Sequence, residues 1–321
     1  MANTNYTSKE GIKPVFSGHE TFPLRYGWLK KAFDAAIIAE KQNKQIIKDV
    51  FNNEESIAAF GVGKNMVSAI RHWAQVCGVF DIDEERELKI NDFAREMLSD
   101  DGLDPWMENP ASIWYFHWNL ASNYSLVTYD WFFNYWNGSV FDRDSLSKSL
   151  LEIAKDKNWT HASPLTVKRD VECFIRMYVP KVTKSGDFDE DSIESPLTEL
   201  GLIAPIRRRD VFQPRKGWKA NLSVHTFIFG LLKFWENYAP NASTLSLESI
   251  CYEPKSPGRI FFLDEDAIVG FAHKLSDETN GLLEWSETAG LRQVMMNKAD
   301  KKHVINLGAK AIKSLAKNYK D

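Results

Sequence analysis

With 321 residues, 44% of them hydrophobic and 13% aromatic, the chain has enough apolar surface for two or three cores and is far too apolar to be disordered. A formal net charge of -4 and a pI near 6.0 exclude a protein that coats nucleic acid non-specifically, so any DNA contact has to be local. No apolar run approaches the roughly 20 residues of a membrane span, and the polar start MANTNYTSKEGIK has no secretion signal, so a cytoplasmic, non-membrane protein is expected.

The first candidate site is the segment FSGHETFPLR, residues 16–25, just ahead of a helix expected over residues 26–44. A helical zinc-protease pattern needs a second histidine at position 23, where Pro23 stands. His19 and Glu20 could instead act as an acid/base pair or hold a divalent ion at a phosphodiester, with Arg25 neutralising the phosphate. The plainer reading, which residue chemistry alone favours, is a helix entry with Thr21 as cap and Pro23 in the first turn.

Residues 54–78 read as a helix-turn-helix. A short helix with Ile57 and Phe60 inward ends at Gly61-Val62-Gly63, and a second helix runs from Lys64 to a stop at Gly78. On a wheel of ~100° per residue, Met66, Val67, Ile70, Trp73, Ala74 and Cys77 take one face, and Lys64, Asn65, Ser68, Arg71, His72 and Gln75 the other. The polar set offers donors that suit base edges and phosphates in a major groove. Val79-Phe80 and residues 87–90, joined by the charged stretch 81–86, have the shape of a wing. Any amphipathic surface helix turns polar residues outward, but the glycine turn, the non-acidic face and the hairpin together favour DNA contact. Gly61-Val62-Gly63-Lys64-Asn65 is not a phosphate-binding P-loop, because Ala58 and Asn65 stand where glycine and Ser or Thr are required, so no nucleotide site is assigned.

An aromatic helix follows over residues 111–121. Trp106, Trp114, Trp118, Trp131 and Trp136 form a belt around His117, which reads as a hydrogen-bonded core residue. Helices are expected over residues 129–136, 142–157 and 164–178, the last with Lys168, Arg169 and Arg176 outward as a weaker DNA-facing candidate. The acidic stretch 185–195 misses the calcium-loop spacing and reads as solvated. Arg207, Arg208, Arg209, Arg215, Lys216 and Lys219, interleaved with Phe212 and Trp218, could track a DNA backbone and stack a base, or form a solvated linker. A very apolar helix covers residues 224–238, a Pro/Gly turn 256–258, and another helix begins near Asp264. Cys77, Cys173 and Cys251, widely separated in apolar patterns, are expected to be buried thiols rather than a disulfide or zinc set.

The fold class is therefore mostly α with short β hairpins, α+β. Its three segments are a winged-helix-like DNA-binding domain over 1–123, a helical middle domain over 124–205, and a C-terminal domain over 206–321. In the last, residues 256–276 and 283–296 would supply the turn, helix and wing of a second winged-helix-like module.

The segments FSGHETFPLRYGWLKK at 16–31, GVGKNM at 61–66, TVKRDVECFIRMY at 166–178, SPGRIFFL at 256–263 and ETAGL at 287–291 resemble the SspB-type proteins of bacterial DNA phosphorothioation loci, a family of domains of unknown function. The resemblance implies a defence pathway shared with a cysteine desulfurase, an ATPase and an ATP-pyrophosphatase-like sulfur transferase, in which this type of protein nicks DNA so that sulfur can enter the backbone. It raises His19, Glu20 and Arg25 to candidate active-site or DNA-contact residues. A nick needs charge stabilised at phosphorus, for which magnesium or manganese is the natural cofactor. Neither an HNH pattern nor a carboxylate-carboxylate-lysine nuclease core is visible. The alternative is a non-catalytic DNA-binding adaptor or a transcriptional regulator.

Overall fold

Side-chain caps fix where several of the long helices begin. The computed structural model describes residues 6–9, 11–52, 54–180, 195–206, 210–288 and 290–297. Helix α1 covers Trp28–Lys41, and a π-helical turn, Ile46–Phe51, leads to α2 at Ser56–Phe60 and α3 at Lys64–Val76. Strands β1, Phe80–Ile82, and β2, Leu88–Ile90, pair antiparallel before α4 at Asp92–Leu98. Helices α5, Pro110–Ala121, and α6, Val127–Asn134, carry Trp114, Trp118 and Trp131 of the aromatic belt and Trp136 follows them into the core, whereas Trp106, expected in the belt, is 59% exposed. Strand β3, Phe141–Asp142, runs into α7, Arg143–Asp156, whose Asp142 cap and Ser145 form a reciprocal capping box. Ser163 caps α8, Pro164–Tyr178, and Ser223 caps α9, Val224–Tyr238.

Between α8 and α9 lie a 3-10 turn, Pro196–Leu200, and strands β4, Ile203–Pro205, and β5, Val211–Pro214. The remainder is β6, Thr244–Ser246, then α10, Leu247–Tyr252, α11, Pro257–Ile260, α12, Glu265–Ala272, and α13, Leu275–Glu278. A hairpin of β7, Leu283–Thr288, and β8, Leu291–Met296, closes the described chain. The sheets are small and antiparallel, in the orders β1-β2, β3-β5-β4 and β6-β8-β7. Helices with small antiparallel sheets make an α+β protein, as the periodicity predicts.

Apolar packing crosses the boundaries expected near residues 123 and 205. Strand β3 pairs with β5, α5 packs against α9, and one buried cluster runs from Tyr6 to Val294. His117 sits in that cluster as expected: Nε2 lies 2.8 Å from the Ile260 carbonyl and Nδ1 2.9 Å from the Tyr178 hydroxyl. The carbonyl can only accept, so Nε2–H donates to it and Nδ1 accepts from Tyr178. Burial pushes this imidazole down to about 4. The three cysteines are buried and free, and among the described residues no helix is long and apolar enough to cross a membrane.

Two local expectations are corrected. Residues 16–27 are a loop rather than a helix entry: Glu20 and Thr21 hold φ of 48° and 69°, and α1 starts only after Gly27. Ile57, expected inward, is 44% exposed, while Phe60 is buried as expected. A five-residue helix makes little more than one turn, so a single side chain can anchor it.

Candidate nucleic-acid interface

Helix α3 is seated by its apolar side. Val67, Ile70, Trp73 and Ala74 are buried, and the Trp73 indole N–H donates to the Phe22 carbonyl at 2.9 Å. Its end closes through Gly78 at φ 82°, whose N–H bonds the Gln75 carbonyl while that of Val79 bonds Ala74. On the opposite side Lys64 and Asn65 are exposed, and Ser68, Arg71 and Gln75 are half-buried. Arg71 donates to the Asn52 side chain at 3.2 Å. The helix opens at Gly63 with no side-chain cap and no acidic residue in its first turn, which leaves its positive dipole end uncompensated by its own residues.

His72 does not share that open face. Its ring packs on Trp73 at 4.9 Å and His19 at 6.1 Å, and its buried Nε2 has no hydrogen-bond partner among the described residues. Burial, then His19 and Arg71, push this imidazole down to about 3. The cause of the inward turn is the 16–27 loop, which crosses this side of α3: a Cβ on Gly18 would stand 2.6 Å from His72 Nδ1.

His19 holds that loop. Its Nδ1 accepts the Thr21 N–H at 3.0 Å, so the proton sits on Nε2, which donates to Asp170 Oδ1 at 2.9 Å. Asp170 Oδ2 accepts the Thr128 hydroxyl. Arg176 also donates to the Thr21 carbonyl, at 3.0 Å. His19 is therefore a buried crosslink to α8 with both ring nitrogens engaged. Glu20 is exposed, and Arg25 lays its guanidinium 5.7 Å from the centre of the Trp28 ring. Asp170, the partner of His19, and Thr128, which bonds Asp170 in turn, carry no sequence signal that ties them to it.

The basic stretch divides. Arg207, Arg208 and Arg209 lie outside the described residues, as does the acidic stretch apart from Ser195. Arg215 and Lys216 are exposed. Lys219 turns inward instead and donates to the carbonyls of Arg215, Gly217 and Phe262, with burial lowering its ammonium to about 8. Trp218 is 55% exposed and stacks on Phe271 at 4.7 Å. The β1-β2 hairpin is acidic: Asp81, Asp83, Glu84, Glu85 and Glu87 outnumber Arg86 and Lys89. Asp83 organises its turn, accepting the N–H groups of Glu85 and Glu87 and pairing with Lys89 at 3.1 Å.

The model of a family of proteins of unknown function, DUF4007, matches residues 16–310. The chain belongs to the DUF4007 family. Two solved structures share its fold over 98% of this chain and 90% of theirs. One is a magnesium ion-bound SspB crystal structure, with a TM-score of 0.80 and 24% identity, and the other an SspB crystal structure, with 0.78 and 25%. No curated protein matches it.

The magnesium of the first SspB structure prompts the question of where this DUF4007 chain would take a metal. Among the described residues no three His, Cys, Asp or Glu side chains come together to hold one. At the 16–25 loop a metal would have to displace Thr21 or Asp170 from His19, with Glu20 pointing to solvent. The loop does not fit a metal, and no chemical step is assigned to one there.

Proposed function

We propose that this chain binds DNA through the open face of α3, acting as a winged-helix module in the DNA phosphorothioation pathway of a bacterial cytoplasm. The observation that carries the reading is the start of α3, where an uncapped, acid-free first turn presents Lys64 and Asn65 to solvent, with Arg71 and Gln75 farther along. Helix N-termini with free amides and nearby cations suit phosphate. The SspB-like fold supports the pathway, and the partners proposed with it are those the sequence resemblance implies, a cysteine desulfurase, an ATPase and an ATP-pyrophosphatase-like sulfur transferase. Arg215 and Lys216 supply a second, exposed cationic contact.

Strand nicking is the second reading, favoured by the magnesium carried by an SspB relative of the same fold. In that case the nicking centre lies away from His19, whose nitrogens are both committed, and His19 and Asp170 serve to position the loop beside α3.

Mobility shift and nicking are read on the same supercoiled plasmid. A nickase converts it to open circles when a divalent ion is added, whereas an adaptor only retards it. The Lys64→Ala, Arg71→Ala double variant is expected to bind more weakly, with a log-log salt slope shallower by about two, since each phosphate contact contributes about 0.9. An unchanged slope removes α3 from the interface.

A further inference from the structure

A cleft of about 430 Å³ opens between α5, α9 and the turn ahead of α11. That volume is within the ~300–1,000 Å³ of ordinary ligand sites. Its walls are aromatic, formed by Tyr115, Trp118, Tyr124, Phe229, Phe234 and Tyr238. Amides from Asn119 and Asn237 and ammonium groups from Lys233 and Lys255 complete it, and among the described residues that line it there is no carboxylate. Tyr238, 47% exposed, stacks on Phe234 with centroids 4.8 Å apart and offers a ring at the mouth.

The cations are gathered with more care than packing requires. Lys9 and Lys255 both approach the Tyr124 ring, at 5.5 and 2.9 Å from its centroid. Asp130 balances Lys255 from the buried side at 3.2 Å and is itself held by the Tyr6 hydroxyl at 2.8 Å. Lys233 meets Glu236 at 3.6 Å. Lys9 has no carboxylate partner among the described residues, so the edge of the cleft keeps an excess positive charge beside stacked rings. Asn119 also donates to the Cys77 carbonyl at 2.7 Å, which places the cleft against the end of α3.

We propose that this cleft holds one unpaired nucleotide of single-stranded DNA, its base among the aromatic rings and its phosphate at Lys9 and Lys233. Aromatic walls accept any base because every base has a π-face, and adjacent ammonium groups supply the backbone term. An apolar peptide side chain would use the rings but leave the cations without a role. The inference rests on the reading that the protein binds DNA.

The test is fluorescence anisotropy with a labelled twelve-residue oligothymidylate and with a matched duplex. The Tyr238→Ala, Lys233→Ala double variant alters two exposed side chains, and a thermal melt confirms that it folds. It should lose about tenfold or more in single-strand affinity, the scale of one lost base stack, and keep its duplex affinity. Tyr238→Phe, which keeps the ring, should bind like the parent. Single-strand affinity unchanged in the folded double variant overturns the cleft. Duplex binding by the parent without single-strand binding also overturns it, while leaving the α3 reading intact. Single-strand binding that needs Tyr238 and Lys233, in a parent that ignores duplex, keeps the cleft and removes α3. Competition by free thymidine monophosphate as strong, molecule for molecule, as that by the oligonucleotide overturns DNA as the occupant.

Discussion

Replacing Asp170 separates a histidine that positions a loop from one that performs chemistry. Asp170 is 4% exposed and receives two donors, His19 Nε2–H at 2.9 Å and the Thr128 hydroxyl. The His19 tautomer is fixed because Nδ1 accepts the Thr21 N–H, so the ring cannot turn its proton elsewhere. Asp170→Ala strands both donors inside the protein at about 1–3 kcal/mol each. Asp170→Asn behaves differently. Its carbonyl oxygen can face His19 while its NH2 donates to Thr128, whose hydroxyl can rotate to accept, so both contacts survive at a cost of about 1 kcal/mol. Urea unfolding of the two variants and the parent measures the difference. Equal losses for Asn and Ala, or no loss for Ala, would refute the account of His19 as a crosslink.

Two further outcomes follow from the same region and from the core. Gly18→Ala places a Cβ 2.6 Å from His72 Nδ1 at a φ of 108°, whereas Gly27→Ala, at φ 74°, meets nothing within 4 Å. Both carry about 1–2 kcal/mol of backbone strain, but only Gly18→Ala adds a clash, so its urea midpoint should be the lower, and equal midpoints would place the His72 ring elsewhere. His117 and His72 are held neutral, with imidazoles near 4 and 3, against about 6.5 in the unfolded chain. Between these values the unfolded state binds more protons, so stability is present above about pH 6.5 and is lost as the pH falls towards 4 and 3. Their joint contribution near pH 5 is about 2.7 kcal/mol per pH unit, and His117→Gln should remove about half of it in urea titrations across pH 5–7.

The long helices were legible because their signals are local. Ser163-Pro164, Ser223 and Asp142 mark starts that caps enforce within one turn, and apolar periodicity carries α7, α8 and α9 to their ends. The π-helical turn at Ile46–Phe51 and the pairing of β6 with β8 were not legible. The first is a six-residue stretch, too short to show a helical period and broken by Lys48-Asp49, and the second joins Leu245 to Val294 across nearly fifty residues. The site divides in the same way. A helical wheel places Lys64, Asn65, Ser68, Arg71 and Gln75 opposite the apolar side of α3, where they are found. It cannot show that a loop from residues 16–27 will cover one flank and draw His72 in, because that depends on Asp170, 151 positions from His19. A lone aspartate on an amphipathic helix reads as a solvent residue until its partner is known.

On the DNA-binding reading proposed above, the acidic hairpin limits how DNA would meet α3. Helix α3 has 13 residues, so with a rise of ~1.5 Å each its start lies about 18 Å from the end that leads into β1. At physiological salt the Debye length is about 8 Å, so the carboxylates of residues 81–87 are largely screened from a phosphate bound at Lys64 and Asn65. A phosphate near Gln75 and the hairpin would feel them directly. The favourable docking would therefore be end-on, with the first turn against the backbone and the hairpin tilted away, rather than a flat engagement of helix and hairpin. On that reading Lys64 and Asn65 lie about two Debye lengths from the end of α3 that leads into the hairpin, whereas Arg71, five residues from that end, lies within about one.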